Sequence, residues 1–354
     1  MSDQYIHGRG AQINPDNPFD KHNYSHNGLH WDDDEGLQAQ KRNQYIKVYP
    51  KTILNKVDSP DLRMGYSMNP YQGCEHGCVY CYARNTHTYW GYSAGIEFEQ
   101  KILVKESAPE LLEQKLKSKT WNATPIMLSG NTDCYQPAEK KYGLTRKMLE
   151  VLWRYRHPVG VITKNVLINR DIDILSKMAK HSLVHVAISI TTLDEDVRRR
   201  LEPRTSSGEK RLQIVERLSE AGIPVMVMFA PIIPSINDRE VFDIARRSAE
   251  AGALKMSNTI VRLNGAVGEI FEDWLRKNYP DRHDRVIHQI QSCHGGKLND
   301  SRYGTRMRGE GNYAEMISQQ LKIAKDKYFA GKMMPPYDLS LYPKYRDGQL
   351  SLFD

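Results

Sequence analysis

The sequence is short of the features that mark membrane and secreted proteins. No apolar run is long enough to span a bilayer: the longest stretch, Ile223 to Ile233, is too short and is interrupted by Pro224 and Pro231. Met1 to Gly10 has no apolar segment of the signal-peptide type. Cysteine is scarce, with five in 354 residues. The odd number argues against a disulfide framework and for a reducing compartment, so a cytoplasmic protein without a membrane partner is expected. Charge of one sign is also limited: 50 Lys and Arg against 43 Asp and Glu give +7, which permits an anionic partner without requiring one. What remains is the composition of an ordinary enzyme, 40% hydrophobic and 26% charged. The length suits about two domains, or one large α/β barrel with appendages.

Residues 1–45 read as a flexible N-terminal arm, because Gly8, Gly10, Pro15, Pro18 and Gly28 interrupt any period. The arm's His7, His22, His26 and His30 have no patterned apolar neighbours, and a solvated segment accounts for them better than a metal site. Residues 46–265 form the core of the reading. Short apolar runs predict strands at Gly65–Asn69, Pro125–Ser129, Gly160–Thr163, Val184–Ile190, Pro224–Ala230 and Ala253–Leu263, with a further one around Phe98–Val104. Amphipathic stretches between them, from Ala83–Trp90 to Arg239–Ala251, predict helices. Such alternation gives an α/β fold with a parallel sheet, curled into a partial barrel or doubly wound, with functional residues just past the strand C-terminal ends. Residues 266–330 read as a helical extension, and 331–354, with Pro335, Pro336 and Pro343, as an extended tail.

Three of the five cysteines fall within eight residues, as Cys74-Glu75-His76-Gly77-Cys78-Val79-Tyr80-Cys81, after the first core strand. Thiolates so spaced suit zinc or an iron-sulfur cluster. Structural zinc closes four protein ligands, and here a second CxxC pair is missing. His76, Cys134 or Cys293 could supply a fourth, although His76 lies between two ligands and the others are distant. A three-thiolate cluster site instead leaves one iron open to a small molecule.

The CxxxCxxC spacing, the aromatic before its last cysteine and its position in a six-strand α/β segment resemble the radical S-adenosylmethionine (SAM) superfamily. That resemblance implies a partial (β/α)6 barrel, with Cys74, Cys78 and Cys81 holding a 4Fe-4S cluster and SAM on the fourth iron. One electron then cleaves SAM to methionine and a 5′-deoxyadenosyl radical, which takes hydrogen from substrate; an electron donor is an implied partner. Tyr80 would lie against the adenine. Ser129-Gly130-Asn131-Thr132-Asp133, Ile162-Thr163-Lys164, Ser189-Ile190-Thr191 and Glu202-Pro203-Arg204 are similar to the group containing spore photoproduct lyase. The likeness extends to Gly8-Arg9-Gly10 and Leu298-Asn299-Asp300-Ser301-Arg302, as in a bacterial subfamily of that group. It implies Lys164 and Ser189 as contacts for the SAM carboxylate, with Ser129, Gly130 and Asp133 near its amino group. Lys164 could instead be a surface cation, and Asp133 could cap a turn. Tyr80 and Tyr82 match tyrosines that return hydrogen in the lyase. Its donor cysteine corresponds here to Asn131, leaving Cys134 as either a displaced donor or a buried small residue.

Two features lie outside the core. Lys297, Arg302, Arg306 and Arg308, among glycines, form a basic loop that could hold a nucleic-acid backbone or simply pair with acids in the arm. The peptide Gln349-Leu350-Ser351-Leu352-Phe353 resembles the motif with which bacterial repair proteins dock onto the sliding clamp, an exposed peptide whose Leu352 and Phe353 would fill a hydrophobic pocket. The reading is therefore a radical SAM enzyme acting on a nucleic-acid base or lesion. The alternatives are a radical SAM enzyme modifying a peptide, protein or small molecule, and a non-catalytic metal-binding interaction protein.

Overall fold

The computed structural model describes residues 5–19, 42–62 and 64–346. The strands are β1 (Gln44–Lys47), β2 (Leu54–Lys56), β3 (Tyr66–Met68), β4 (Tyr71–Gln72), β5 (Lys101–Val104), β6 (Ile126–Leu128), β7 (Val159–Thr163), β8 (Val184–Ser189), β9 (Val225–Ile232) and β10 (Lys255–Ile260). β7 and β8 are runs rich in β-branched residues and almost wholly buried, the pattern of strands covered on both faces.

The main sheet has seven strands in the order β10-β9-β8-β7-β6-β3-β2. β3, β6, β7, β8, β9 and β10 are parallel neighbours in chain order, and β2 adds antiparallel to β3. Parallel crossovers are right-handed, so strands added always on the same side put their helices on one face. The sheet then curls around its own side chains, which decides for the partial barrel over the doubly wound sheet. Amphipathic helices cover its outside. Leu144–Arg154, for example, buries Leu144, Met148, Leu149, Val151 and Leu152, and Gly208–Glu220 starts where the Ser207 side chain accepts from the Lys210 amide at 3.3 Å.

Several details depart from the sequence reading. Tyr82–Trp90 is a 3-10 helix. Of Phe98–Val104, only Lys101–Val104 is a strand, and it joins a separate small sheet, β1-β5-β4. The arm is solvated along only part of its described length: His7, Gly8 and Phe19 are exposed, whereas Arg9, Gly10 and Ala11 are buried against the core. Nor is the tail simply extended. Leu341–Arg346 is helical, Tyr342 is fully buried with its hydroxyl donating to the Leu116 carbonyl at 2.5 Å, and Tyr337 stacks on His185 at 3.9 Å. These contacts close the N-terminal end of the barrel. His22, His26, His30 and Gln349–Phe353 lie outside the described residues.

Candidate active site

Beyond β4 the chain turns through Gly73 and Gly77, both at positive φ, into the loop that carries the three cysteines. The arm holds this loop from above. Gly10 passes so close that a Cβ there would stand 1.7 Å from the Gly77 carbonyl oxygen, and the amides of Gly10 and Ala11 donate to the Glu99 carboxylate at 3.1 and 2.8 Å. Glu99 also receives Arg84 at 2.6 Å, whose Nε donates to the Cys78 carbonyl at 2.9 Å.

Cys74 and Cys78 are buried and Cys81 is half-buried. Burial pushes all three thiols up, Cys74 to about 12, and negative charge adds to it at Cys74 from Asp133 and at Cys78 from Glu202. Lys164 works in the other direction on Cys78 and Cys81, as does Arg84 on Cys81. The donor set is thus three soft thiolates with cations at hand, which fits a cluster with one iron left for another ligand. Among the described residues no three His, Cys, Asp or Glu side chains converge on a single ion, as mononuclear zinc requires; a cubane asks less, because each thiolate takes its own iron. The fourth-ligand candidates also fall away. His76 has Nδ1 3.4 Å from Asp133 Oδ2 and Nε2 3.1 Å from Asn165 Nδ2, while Cys134 and Cys293 sit in the main core.

Asp133 is a brace. Its Oδ1 accepts from Thr163 Oγ1 at 2.7 Å and from the Tyr135 amide at 2.8 Å; its Oδ2 accepts from the Lys164 amide at 2.8 Å. It therefore fixes the end of β7 and, through His76, the cysteine loop. Both oxygens are engaged in holding this turn and the end of β7. Ser129 is likewise occupied, donating to the Ile162 carbonyl at 2.8 Å and accepting from the Cys134 amide at 3.1 Å. Its φ of 96° is a strained value for serine, and Gly130 follows at 141°. Cys134 is fully buried beneath β6 and β7. Its thiol lies in the main core, 4.0 Å from the Ile162 carbonyl.

Glu202 is the residue that sequence reasoning missed. Fully buried, it accepts from Lys164 Nζ at 3.0 Å, Thr191 Oγ1 at 2.6 Å, Arg211 Nη2 at 2.6 Å and the Tyr80 hydroxyl. Burial alone would raise its carboxyl; Arg211 and Lys164 outweigh that and hold it well below the usual carboxylate range. The tripeptide Glu202-Pro203-Arg204 was the only signal, and it carried no hint of a hub. Tyr80 is buried with its hydroxyl spent on Glu202, and burial with the adjacent Cys78 and Glu202 pushes its pKa well up. Tyr82 is different: 54% exposed, it donates to the Gly130 carbonyl at the mouth. Lys164 lies 5.5 Å from the Tyr80 ring centre. Ser189 ends β8, buried, with its carbonyl held by Arg211 at 2.9 Å.

The mouth is rimmed by the segment after β10 and by the basic loop. Arg262 is half-buried and feels the charge of Tyr82, Arg306, Asp61 and Asp300, and its one hydrogen bond among the described residues is a long one of 3.4 Å to the Asp300 carbonyl. The loop arginines are largely neutralised: Arg302 pairs with Asp300 and Glu310, and Arg306 with Asp61 at 2.6 Å. These acids belong to the loop and to the segment before β3, not to the arm.

Residues 68–247 match the radical SAM superfamily. An uncharacterised protein of Mycobacterium tuberculosis is 31% identical over 240 residues, 67% of this chain and 71% of its own. Another, of Methanocaldococcus jannaschii, is 29% identical over 244 residues, 69% of this chain and 86% of its own. In fold, the chain is similar to spore photoproduct lyase complexed with dinucleoside spore photoproduct, with TM-score 0.60 at 17% identity over 81% of this chain and 80% of that one.

Proposed function

The chain belongs to the radical SAM superfamily, and from that premise we propose that it is an enzyme that reductively cleaves SAM to take hydrogen from a nucleic-acid base. When bound, the 4Fe-4S cluster and SAM supply the one-electron cleavage and the hydrogen abstraction that follows. The protein's share is to bind, orient and exclude water. Lys164 offers a fixed cation and Ser189 a hydroxyl at adjacent strand ends, suited to the SAM carboxylate. The buried Tyr80 ring, pinned through its hydroxyl to Glu202, forms a wall beside Cys81. Return of hydrogen falls to Tyr82, since Tyr80 and Cys134 are closed off.

The observation that carries the substrate class is the mouth itself, where the exposed Tyr82 follows the cluster cysteine Cys81 and its hydroxyl feels the charge of the half-buried Arg262. Fold likeness to a lyase complexed with a dinucleoside photoproduct lends support. A clamp-docking peptide at Gln349–Phe353 would bring such an enzyme to DNA. Base-deuterated oligonucleotides, incubated with reductant and cluster-loaded protein, should pass deuterium into 5′-deoxyadenosine, read by mass spectrometry. SAM cleavage with no deuterium acquired from any nucleic acid would refute the substrate class while leaving the superfamily chemistry intact.

A further inference from the structure

Arg302 and Arg306 of the basic loop are neutralised, and its Arg308 belongs instead to a larger gathering of unpaired charge. Helix Gly311–Tyr328 packs on helix Val241–Glu250 and leaves two hollows beside β10, of about 420 and 730 Å³, which meet at Lys325 and Asp326. Five cations line them: Arg308, Lys322 and Lys325 in one, Lys255, Lys325 and Lys332 in the other. Asp326 is the single acid in the lining. None of the five forms an ion pair among the described residues; Lys325 donates to Asn258 Oδ1 and Lys332 to the Ala249 carbonyl, both at 2.7 Å. Burial and the charge of Lys255 both weigh against the protonated form of Lys325. Positive charge gathered at that cost, with Asp326 the one acid in the lining, suits an anion supplied from outside.

The groove has a direction. β10 is the edge strand of the sheet, about 20 Å long at ~3.3 Å per residue. At its C-terminal end the Ile260 amide donates to the Met307 carbonyl at 3.1 Å, so Met307 and Arg308 join the groove to the rim of the mouth. There Tyr303 is 57% exposed with Arg306 4.4 Å from its ring centre, and the half-buried Arg262 feels the charge of both Arg306 and Tyr82. We propose that this groove is a track for the sugar–phosphate backbone of a single-stranded nucleic acid, leading a base past Tyr303 toward Tyr82. The proposal rests on the nucleic-acid reading of the active site. An acidic protein segment would satisfy the cations equally well, but it would make no use of aromatic platforms at the track's end, whereas cations followed by exposed rings are what a single strand needs.

The test is fluorescence anisotropy of a labelled oligothymidylate with the cluster-loaded full chain, titrated with salt and without SAM. Lys255→Ala/Lys322→Ala/Lys332→Ala, on exposed or half-exposed positions, should weaken binding at least about tenfold and lower the slope of log affinity against log salt by about 2, at ~0.7 for each phosphate no longer neutralised. Arg302→Ala, already neutralised by Asp300 and Glu310, should change affinity less than about twofold. No binding by the wild type, or equal binding by the triple variant, overturns the track. So does polyglutamate binding as tightly as the oligonucleotide with the same sensitivity to the triple variant, since an acidic protein segment would then be the occupant. Because binding is read apart from turnover, failed deuterium transfer with an intact track sinks the substrate reading alone, and the reverse result sinks the track alone.

Discussion

The two ends of the barrel are built from opposite materials. At the N-terminal end the buried part of the plug is aromatic: Tyr342 packs edge-on to His157 at 5.0 Å between ring centres, Trp121 Nε1 donates to His157 Nε2 at 3.0 Å, and Tyr337 stacks on His185. At the mouth, Glu202, Arg211 and His76 are buried, with Lys164 and Asp133 beside them, and Ser129 is held at a strained φ. A buried ion pair gains little over well-packed apolar groups, so stability alone would have made both ends alike. Charge and strain were accepted at the end where cofactor and substrate must be held, and the plug provides stability there is no reason to compromise.

That contrast can be broken from either side. The largest effect is expected for Glu202→Gln, which leaves Arg211 and Lys164 facing a neutral amide. We expect a loss of about 3–5 kcal/mol in stability and a fall of about 10–100-fold in SAM affinity of the cluster-loaded protein. Denaturant melts and equilibrium dialysis would measure these, and wild-type SAM affinity would reduce the network to a strut. Tyr342→Ala should cost a comparable or smaller ~3–4 kcal/mol through the cavity it opens, with SAM affinity unchanged; altered SAM binding would mean the two ends are coupled.

The smallest effect is a pH slope at the plug. Burial lowers His157 to about 4, against an ordinary value near 6.5. Between those values the unfolded chain binds a proton that the folded one refuses. The His157 contribution to stability is therefore complete above pH 6.5, declines by about 1.4 kcal/mol per unit as pH falls toward 4, and levels off below. In His157→Gln, which keeps an acceptor for Trp121, the decline should flatten by that amount in melts across this range. Parallel curves would show that the histidine is not buried neutral.

β7, β8 and β9 were legible because each is an apolar run too short for a helix, and Lys164 and Ser189 could be located at strand ends because they close two such runs. The sheet order was not legible: alternation of strand and helix does not say on which side each new strand is added. Asp133 could be recognised as acidic but not as a brace, because the Lys164 amide it holds comes from a different crossover. Cys134 and Asn131 are three residues apart, yet only the fold shows that one is in the core and the other on the rim. Glu202 illustrates the limit most clearly, since its four partners come from four separate segments. In the tail, the prolines concealed the short helix that buries Tyr342.

The chain-order arrangement of β3, β6, β7, β8, β9 and β10 has a consequence for assembly. Each strand docks on the one completed just before it, so the sheet can grow as the polypeptide lengthens, and no edge among these strands need wait for a distant partner. The arm is the exception: Gly10 and Ala11 find their acceptor, Glu99, nearly ninety residues later. The segment that clasps the cysteine loop thus precedes its acceptor by nearly ninety residues, and the clasp can close only once the helix bearing Glu99 is in place.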